Sequence, residues 1–349
     1  VTFSSAQNKP GGLPSITPRQ IAAALGKTST SEAQQMLHDA GGHIEFMEEP
    51  INEETLIQKL STGKVDAVLL RGSKPFTAKV LGSTTHLKII AKNGAGVDSV
   101  DLGEATQRGV TVTVAAGANA DAVAEHAVAL MLTLVRNLNT LDAKVKHGGW
   151  EGTSWLGRDF RGSVVGIVGF GSIGQSTARL AKAMGAEVVV FSGTRRQDAG
   201  EFRLENNFDA FLAQVDILSL HCPLTEQTKG MISARELGLM KQGSIVINTA
   251  RGAILDEAAL IDALKSGHLG GAGLDTFEVE PIQSDNPLLS MAHVVLTPHV
   301  AGVTRNAAKK VATLTAQNII DTLAGKKLPA GHLVAGPSPE TRHSFKNKS

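Results

Sequence analysis

The stretch VVGIVGFGSIGQSTARLAKAMG, Val164 to Gly185, most restricts the folds open to this chain. An apolar run leads straight into Gly169, Phe170, Gly171, Ser172, Ile173 and Gly174, and a helix-forming segment follows without a break. This G-x-G-x-x-G order suits a buried strand that turns tightly into a helix. The first glycine permits the turn, the second admits a pyrophosphate to the backbone, and the third lets helix pack on strand. The helix amides then face the phosphates. Six such residues alone would be a weak sign. The strand before them, the helix after them and a further apolar run, EVVVF, make a dinucleotide site the better reading.

The turn sits in the middle of the sequence, with α/β patterning on both sides. From Leu13 to Val114, β-rich runs (HIEFM, VDAVLL, LKIIAK, VTVTV) alternate with helical segments such as SEAQQMLHDAG and NEETLIQKLST. A second set contains VVGIVG, EVVVF, DILSLH, SIVINTA, GAGLD and VVLT. Both sets predict parallel sheets covered on two faces. Between them a helix is expected after the cap-competent Asn119, with Val123, Ala127, Leu130 and Leu134 at helical spacing. A last helix is expected over Ala301 to Leu323, followed by a polar, mobile tail. With 349 residues, two domains are expected, and a small ligand would sit in a cleft between them.

Charge excludes some partners. Thirty-four basic against 33 acidic side chains give a formal charge of +1, so neither nucleic acid nor an anionic membrane is an expected partner. The single cysteine, Cys222, rules out an intrachain disulfide framework and agrees with a reducing compartment. No Cys/His spacing reads as a zinc site, so no metal is expected. VTFSSAQNKPGGLPS lacks a signal-peptide core, and no run reaches the roughly 18 apolar residues of a membrane span. A cytoplasmic protein is the default expectation.

The strand VVVF ends on Ser192, Gly193, Thr194, Arg195 and Arg196, where a ribose-binding Asp or Glu would stand in an NAD site. Two hydroxyls and two guanidiniums suit a 2′-phosphate instead. The expected coenzyme is therefore NADP(H), with NAD(H) possible.

Arg251, Glu280 and His299 lie just past the carboxyl ends of expected strands, where open parallel sheets bind ligands. Hydride transfer to a 2-oxo acid needs a cation for the carboxylate, a proton donor for the developing alkoxide and a partner for that donor. Arginine, histidine and a carboxylate suit these tasks in that order.

These residues, with NGAGVDSVDL, AGANADAVAEHAVALML, GIVGFGSIG, HCPLTEQTKGMI, MKQGSIVINTARGAILDEAALIDAL, GAGLDTFEVEP and LTPHVAG in order, resemble the D-isomer-specific 2-hydroxyacid dehydrogenases. Phosphoglycerate dehydrogenases and glyoxylate/hydroxypyruvate reductases belong to that family. The resemblance implies a Rossmann-type dinucleotide domain, residues 118–300, inserted into a flavodoxin-like α/β substrate domain made of residues 1–117 and 301–349. It makes His299 the acid/base, Glu280 its partner and Arg251 the substrate anchor. It sets Ser172 and Ile173 against the pyrophosphate. Cys222, Ala250 and Asp275 line the nicotinamide half, with Asp275 accepting from the carboxamide, and Pro223 and Thr249 also meet the coenzyme. Backbone amides of Asn93, Gly94, Ala95 and Gly96 meet the substrate carboxylate.

The resemblance also implies a homodimer and closure of the two domains over a small 2-oxo or 2-hydroxy acid. Arg71 and Lys92 lie where phosphoglycerate dehydrogenases hold a phosphate, which keeps a phosphorylated substrate as the alternative. A corepressor that senses dinucleotide shares the same fold and is the alternative of another class.

Overall fold

The computed structural model describes residues 19–24, 31–61, 64–193 and 198–337. In chain order its first part contains β1 (Arg19–Ala24), α1 (Ser31–Asp39), β2 (Gly42–Phe46), α2 (Glu53–Ser61), β3 (Val65–Leu70), α3 (Ala78–Gly82), β4 (Ile89–Lys92), α4 (Leu102–Gln107) and β5 (Thr111–Val114). The middle holds α5 (Ala120–Val135), α6 (Leu138–Lys146), β6 (Val164–Val168), α7 (Ser172–Ala183), β7 (Glu187–Phe191), β8 (Arg203–Leu204), α8 (Phe208–Gln214), β9 (Ile217–Leu220) and α9 (Ala234–Leu239). It continues through β10 (Ser244–Asn248), α10 (Glu257–Lys265), β11 (Leu269–Leu274) and β12 (Val294–Leu296). The chain then forms α11 (Arg305–Leu323) and β13 (Leu333–Ala335). Among the described residues no helix is long and apolar enough to cross a membrane.

Two compact units result: one made of residues up to Ala118 with those from Arg305 onward, the other of Asn119–Thr304. In the first, the sheet runs β13-β5-β4-β3-β1-β2. Its five parallel strands follow the 2-1-3-4-5 order of flavodoxin-like sheets. β4 and β5 are buried along their whole length, as strands must be when helices cover both faces. On one face Ala312, Ala316, Ile319 and Leu323 of α11 pack with Ala67, Leu69, Ile89 and Ala91. On the other, Val68, Ile90 and Val112 join Leu56, Val80 and Ala105.

In the second unit seven parallel strands run β12-β11-β10-β9-β6-β7-β8. From β8 this is the 3-2-1-4-5-6 order of a Rossmann sheet with one strand added. The strand order reverses between β6 and β9. The GFGSIG turn leaves β6 at that point, where ligands bind in open α/β sheets.

Several expectations need correction. The first part of the tail expected to be mobile instead supplies β13, which pairs antiparallel with β5 through Leu333↔Thr113 and Ala335↔Val112, and residues 338–349 lie outside the described residues. The β5 edge presents unpaired backbone groups, and the tail satisfies them; Val114 N donates to His332 O at 2.9 Å. Asn119 occupies the N-cap position of α5, but its side chain makes no capping bond. The final helix begins at Arg305 rather than Ala301, and the unit boundary falls at Thr304. The reason is local: the amides of Val300 and Ala301 are taken by Asp275 and do not start a helix.

Candidate active site

The glycines of the phosphate turn divide the work by their surroundings. Gly169 adopts φ +91°, and a Cβ there would stand 2.6 Å from Cys222 N. A Cβ on Gly174 would collide with Gly169 O, so helix and turn touch through backbone. Gly171 differs: its φ of −77° suits any residue, and nothing lies within 4 Å of a Cβ placed on it. That open side is the approach a pyrophosphate needs, and the first amides of the 12-residue α7 face it. Gly169 N donates to Phe191 O, which ties the turn to the end of β7. Ser192 is half-buried just beyond, and Gly193 is exposed. Thr194, Arg195 and Arg196 lie outside the described residues.

Across the switch point, β9, β10 and β11 are each followed closely by a buried polar atom without a partner among the described residues: His221 Nδ1, Thr249 Oγ1 and Thr276 Oγ1. Buried polar atoms are ordinarily satisfied. A polar ligand along these strand ends would satisfy them, so the residues fit a dinucleotide. Ala250 is buried and its N–H donates to Asn248 Oδ1. The Cys222 thiol is pushed up to about 11 by burial and is not a nucleophile at neutral pH. Pro223 O accepts from the Thr228 hydroxyl at 2.7 Å, which folds the loop back on itself.

The three candidate catalytic residues leave the carboxyl ends of adjacent strands, since β10 pairs with β11 and β11 with β12. His299 Nδ1 is 2.8 Å from Glu280 Oε2. Their side chains are 46% and 37% exposed, open to a ligand. Phe277 N donates to Glu280 Oε1 at 3.1 Å, holding the carboxylate from its other side. Arg251 sits at the start of a 3₁₀ turn, Gly252–Ile254, and donates from Nη1 to Ala250 O at 2.7 Å. Gly252 passes so close to Phe277 that a Cβ would strike the Phe277 carbonyl, which brings the loops after β10 and β11 into contact.

Asp275, 1% exposed, has a role the sequence did not disclose. Its Oδ1 accepts from Thr297 Oγ1 at 2.6 Å and Val300 N at 2.9 Å, and its Oδ2 accepts from Ala301 N at 2.8 Å. The carboxylate thus clamps the segment carrying His299. His299 itself has φ +53°, a left-handed conformation uncommon for a residue with a Cβ. Thr297 and His126 join the same network, with His126 Nε2 2.9 Å from Thr297 Oγ1.

In the other unit, the Asn93–Gly96 loop follows β4, and Asn93 Oδ1 is buried without a partner among the described residues. Arg71 is exposed after β3. Lys92, 8% exposed, donates from Nζ to Gly72 O.

Residues 128–301 match the sequence profile of the D-isomer specific 2-hydroxyacid dehydrogenase NAD binding domain. The chain is 41% identical over 275 residues to glyoxylate reductase from Thermococcus litoralis, spanning 76% of this chain and 83% of that enzyme. It is 39% identical over 294 residues to D-3-phosphoglycerate dehydrogenase from Archaeoglobus fulgidus, spanning 83% of this chain but only 55% of that enzyme's length. A solved glyoxylate reductase from Paecilomyes thermophila superposes with a TM-score of 0.81 at 29% identity, covering 94% of this chain and all of that one. The chain belongs to the D-isomer specific 2-hydroxyacid dehydrogenase family. Members of the family are NAD(P)-dependent oxidoreductases that act on the CH–OH group of 2-hydroxy acids.

Proposed function

We propose that the chain is a D-2-hydroxyacid dehydrogenase working as a 2-oxo acid reductase, with NADP(H) preferred over NAD(H) and a small substrate such as glyoxylate or hydroxypyruvate. The observation that carries this is the 2.8 Å His299–Glu280 pair, in the same unit as a glycine turn with an open face at Gly171. A bound reduced nicotinamide supplies a hydride for C2 of the acid. His299 supplies the proton for the oxygen. Its Nδ1 is engaged by Glu280, so Nε2 is the ring nitrogen that meets substrate. Glu280, steadied by the Phe277 amide, fixes the ring and places a negative charge beside the imidazolium that donates. Arg251 binds the substrate carboxylate and polarises the carbonyl.

Ser192 in place of a carboxylate, followed in sequence by Arg195 and Arg196, supports the coenzyme preference. An unphosphorylated acid is favoured because the Lys92 ammonium is nearly buried and already bonded to the Gly72 carbonyl. A homodimer is supported by α6, in which no residue is buried, and by Trp150 and Leu156 beyond it, 81% and 90% exposed.

Initial rates with NADPH and NADH across glyoxylate, hydroxypyruvate, pyruvate, bulkier 2-oxo acids and phosphohydroxypyruvate test the proposal. The expected result is fastest turnover of a small unphosphorylated acid with NADPH. Binding of coenzyme without turnover of any acid would favour a sensor, and preference for phosphohydroxypyruvate would favour the phosphoglycerate branch.

A further inference from the structure

His126 lies on α5, remote in sequence from the glycine turn and from the residues assigned to chemistry. Its ring reaches the site through hydrogen bonds that can be given directions. Asp275 accepts from the amides of Val300 and Ala301, so it is the acceptor in this cluster. The Thr297 hydroxyl, 2.6 Å from Asp275 Oδ1, must therefore donate its single proton there. Toward His126 the same oxygen can only accept. His126 thus carries its proton on Nε2 and donates to Thr297 Oγ1 at 2.9 Å. The Thr297 carbonyl meanwhile accepts the His299 N–H at 3.0 Å. One residue is held by its hydroxyl, and its carbonyl closes the tight turn at His299.

His299's own backbone conformation, just past that turn, is costly for a residue with a Cβ. A left-handed φ of +53° persists only when the surroundings over-determine it. Three bonds to Asp275 and the donor from His126 supply that constraint. We propose that His126 is a positioning residue for His299: through Thr297 and Asp275 it holds the 297–301 segment in the one conformation that sets the His299 ring against Glu280. Released from this network, the segment would sample ordinary backbone, and displacement of a catalytic group by about 1 Å can cost about 10²-fold in rate.

The kinetic part of the test rests on the reductase proposal; the crystallographic part does not. His126→Leu and Thr297→Val are expected to lower kcat about tenfold while the NADPH Kd, from fluorescence titration, stays within about twofold. His126→Gln, which keeps an N–H donor, and Thr297→Ser, which keeps the hydroxyl, should recover most of the loss. Crystal structures of the two disabled variants should show residue 299 leaving positive φ or the Nδ1–Oε2 contact with Glu280 opening. Wild-type kcat in His126→Leu overturns the proposal. So does a loss that His126→Gln leaves unrepaired, because ring packing rather than the donor would then matter. If the wild-type protein turns over no 2-oxo acid, the reductase proposal fails and the crystal structures decide alone; an unmoved 297–301 segment in both disabled variants overturns the relay.

Discussion

His299 Nδ1 and Glu280 Oε2 are 2.8 Å apart, and the other oxygen of that carboxylate takes the Phe277 amide at 3.1 Å. The ring is thereby held at one nitrogen and presents the other. His299→Ala removes the proposed proton donor without touching the phosphate turn, so kcat should fall about 10²- to 10⁴-fold with NADPH affinity within about twofold. Glu280→Gln should cost less, about tenfold: its carbonyl can still accept from Nδ1, but its NH₂ then faces the Phe277 N–H. Steady-state rates with a fluorescence titration separate the two effects. Turnover preserved in His299→Ala at saturating coenzyme would remove His299 from the mechanism.

Gly171 and Gly174 are three residues apart in one motif, yet substitution should act on different quantities. A methyl at Gly171 meets open space at φ −77°, so Gly171→Ala should fold with stability within about 0.5 kcal/mol of wild type. It should weaken NADPH binding about tenfold by filling the approach to the amides. A methyl at Gly174 runs into Gly169 O, so Gly174→Ala should lose about 1–3 kcal/mol of stability. Urea denaturation and coenzyme titration on both variants check this. Equal effects on both quantities would mean that Gly171 is not the phosphate side.

The sequence discloses some parts of this architecture far better than others. β4, β5, β9 and β10 are buried on both faces and appear as short runs dominated by Ile, Leu, Val and Thr, and the glycine turn carries its own spacing. β1 reads RQIAAA, rich in helix formers, and becomes a strand because β2 and β3 pair with it on either side. β8 and β13 are two and three residues long, below the length at which alternation can be detected. The places of Arg251, Glu280 and His299 just past strand ends were readable, which made them candidates. The Asp275–Thr297–His126 network was not: 171 residues separate His126 from Thr297, and periodicity on α5 marks a core helix whatever one polar edge touches.

Coenzyme choice should respond to a single charge at the end of β7. Ser192 is half-buried beside the Phe191 carbonyl that accepts from Gly169. A carboxylate in its place would accept from ribose hydroxyls and repel a 2′-phosphate. Ser192→Asp should therefore lower kcat/KM with NADPH about tenfold or more and raise it with NADH. Adding Arg195→Ala should extend the swing. Wild-type protein that uses both coenzymes equally well would contradict the proposed preference.

Leu138 and Val145 project from α6 at 51% and 53% exposure, and Leu156 farther along at 90%. Apolar side chains this exposed on one segment are expected to be covered by a second copy. Sedimentation should give twice the 36.4 kDa chain mass, and Leu138→Asp with Leu156→Asp should shift it toward monomer. A wild-type monomer at tens of micromolar would refute the assembly.

His221 couples the site to acid stability. Its Nε2 lies 2.9 Å from Ser219 Oγ, its Nδ1 is enclosed without a partner among the described residues, and burial lowers its pKa to about 4. A base whose folded pKa is depressed takes up its proton more readily when unfolded. The folded state therefore keeps full stability above about pH 6.5 and loses it as pH falls toward 4. From those two values the loss at pH 5 is about 2 kcal/mol relative to pH 7.5. His221→Gln carries no such proton, so the gap between its unfolding free energy and that of wild type should shift by about this amount over the same interval. Urea denaturation at pH 7.5, 6 and 5 measures the shift, and parallel curves for the two proteins would show that the wild-type ring is not kept neutral by burial.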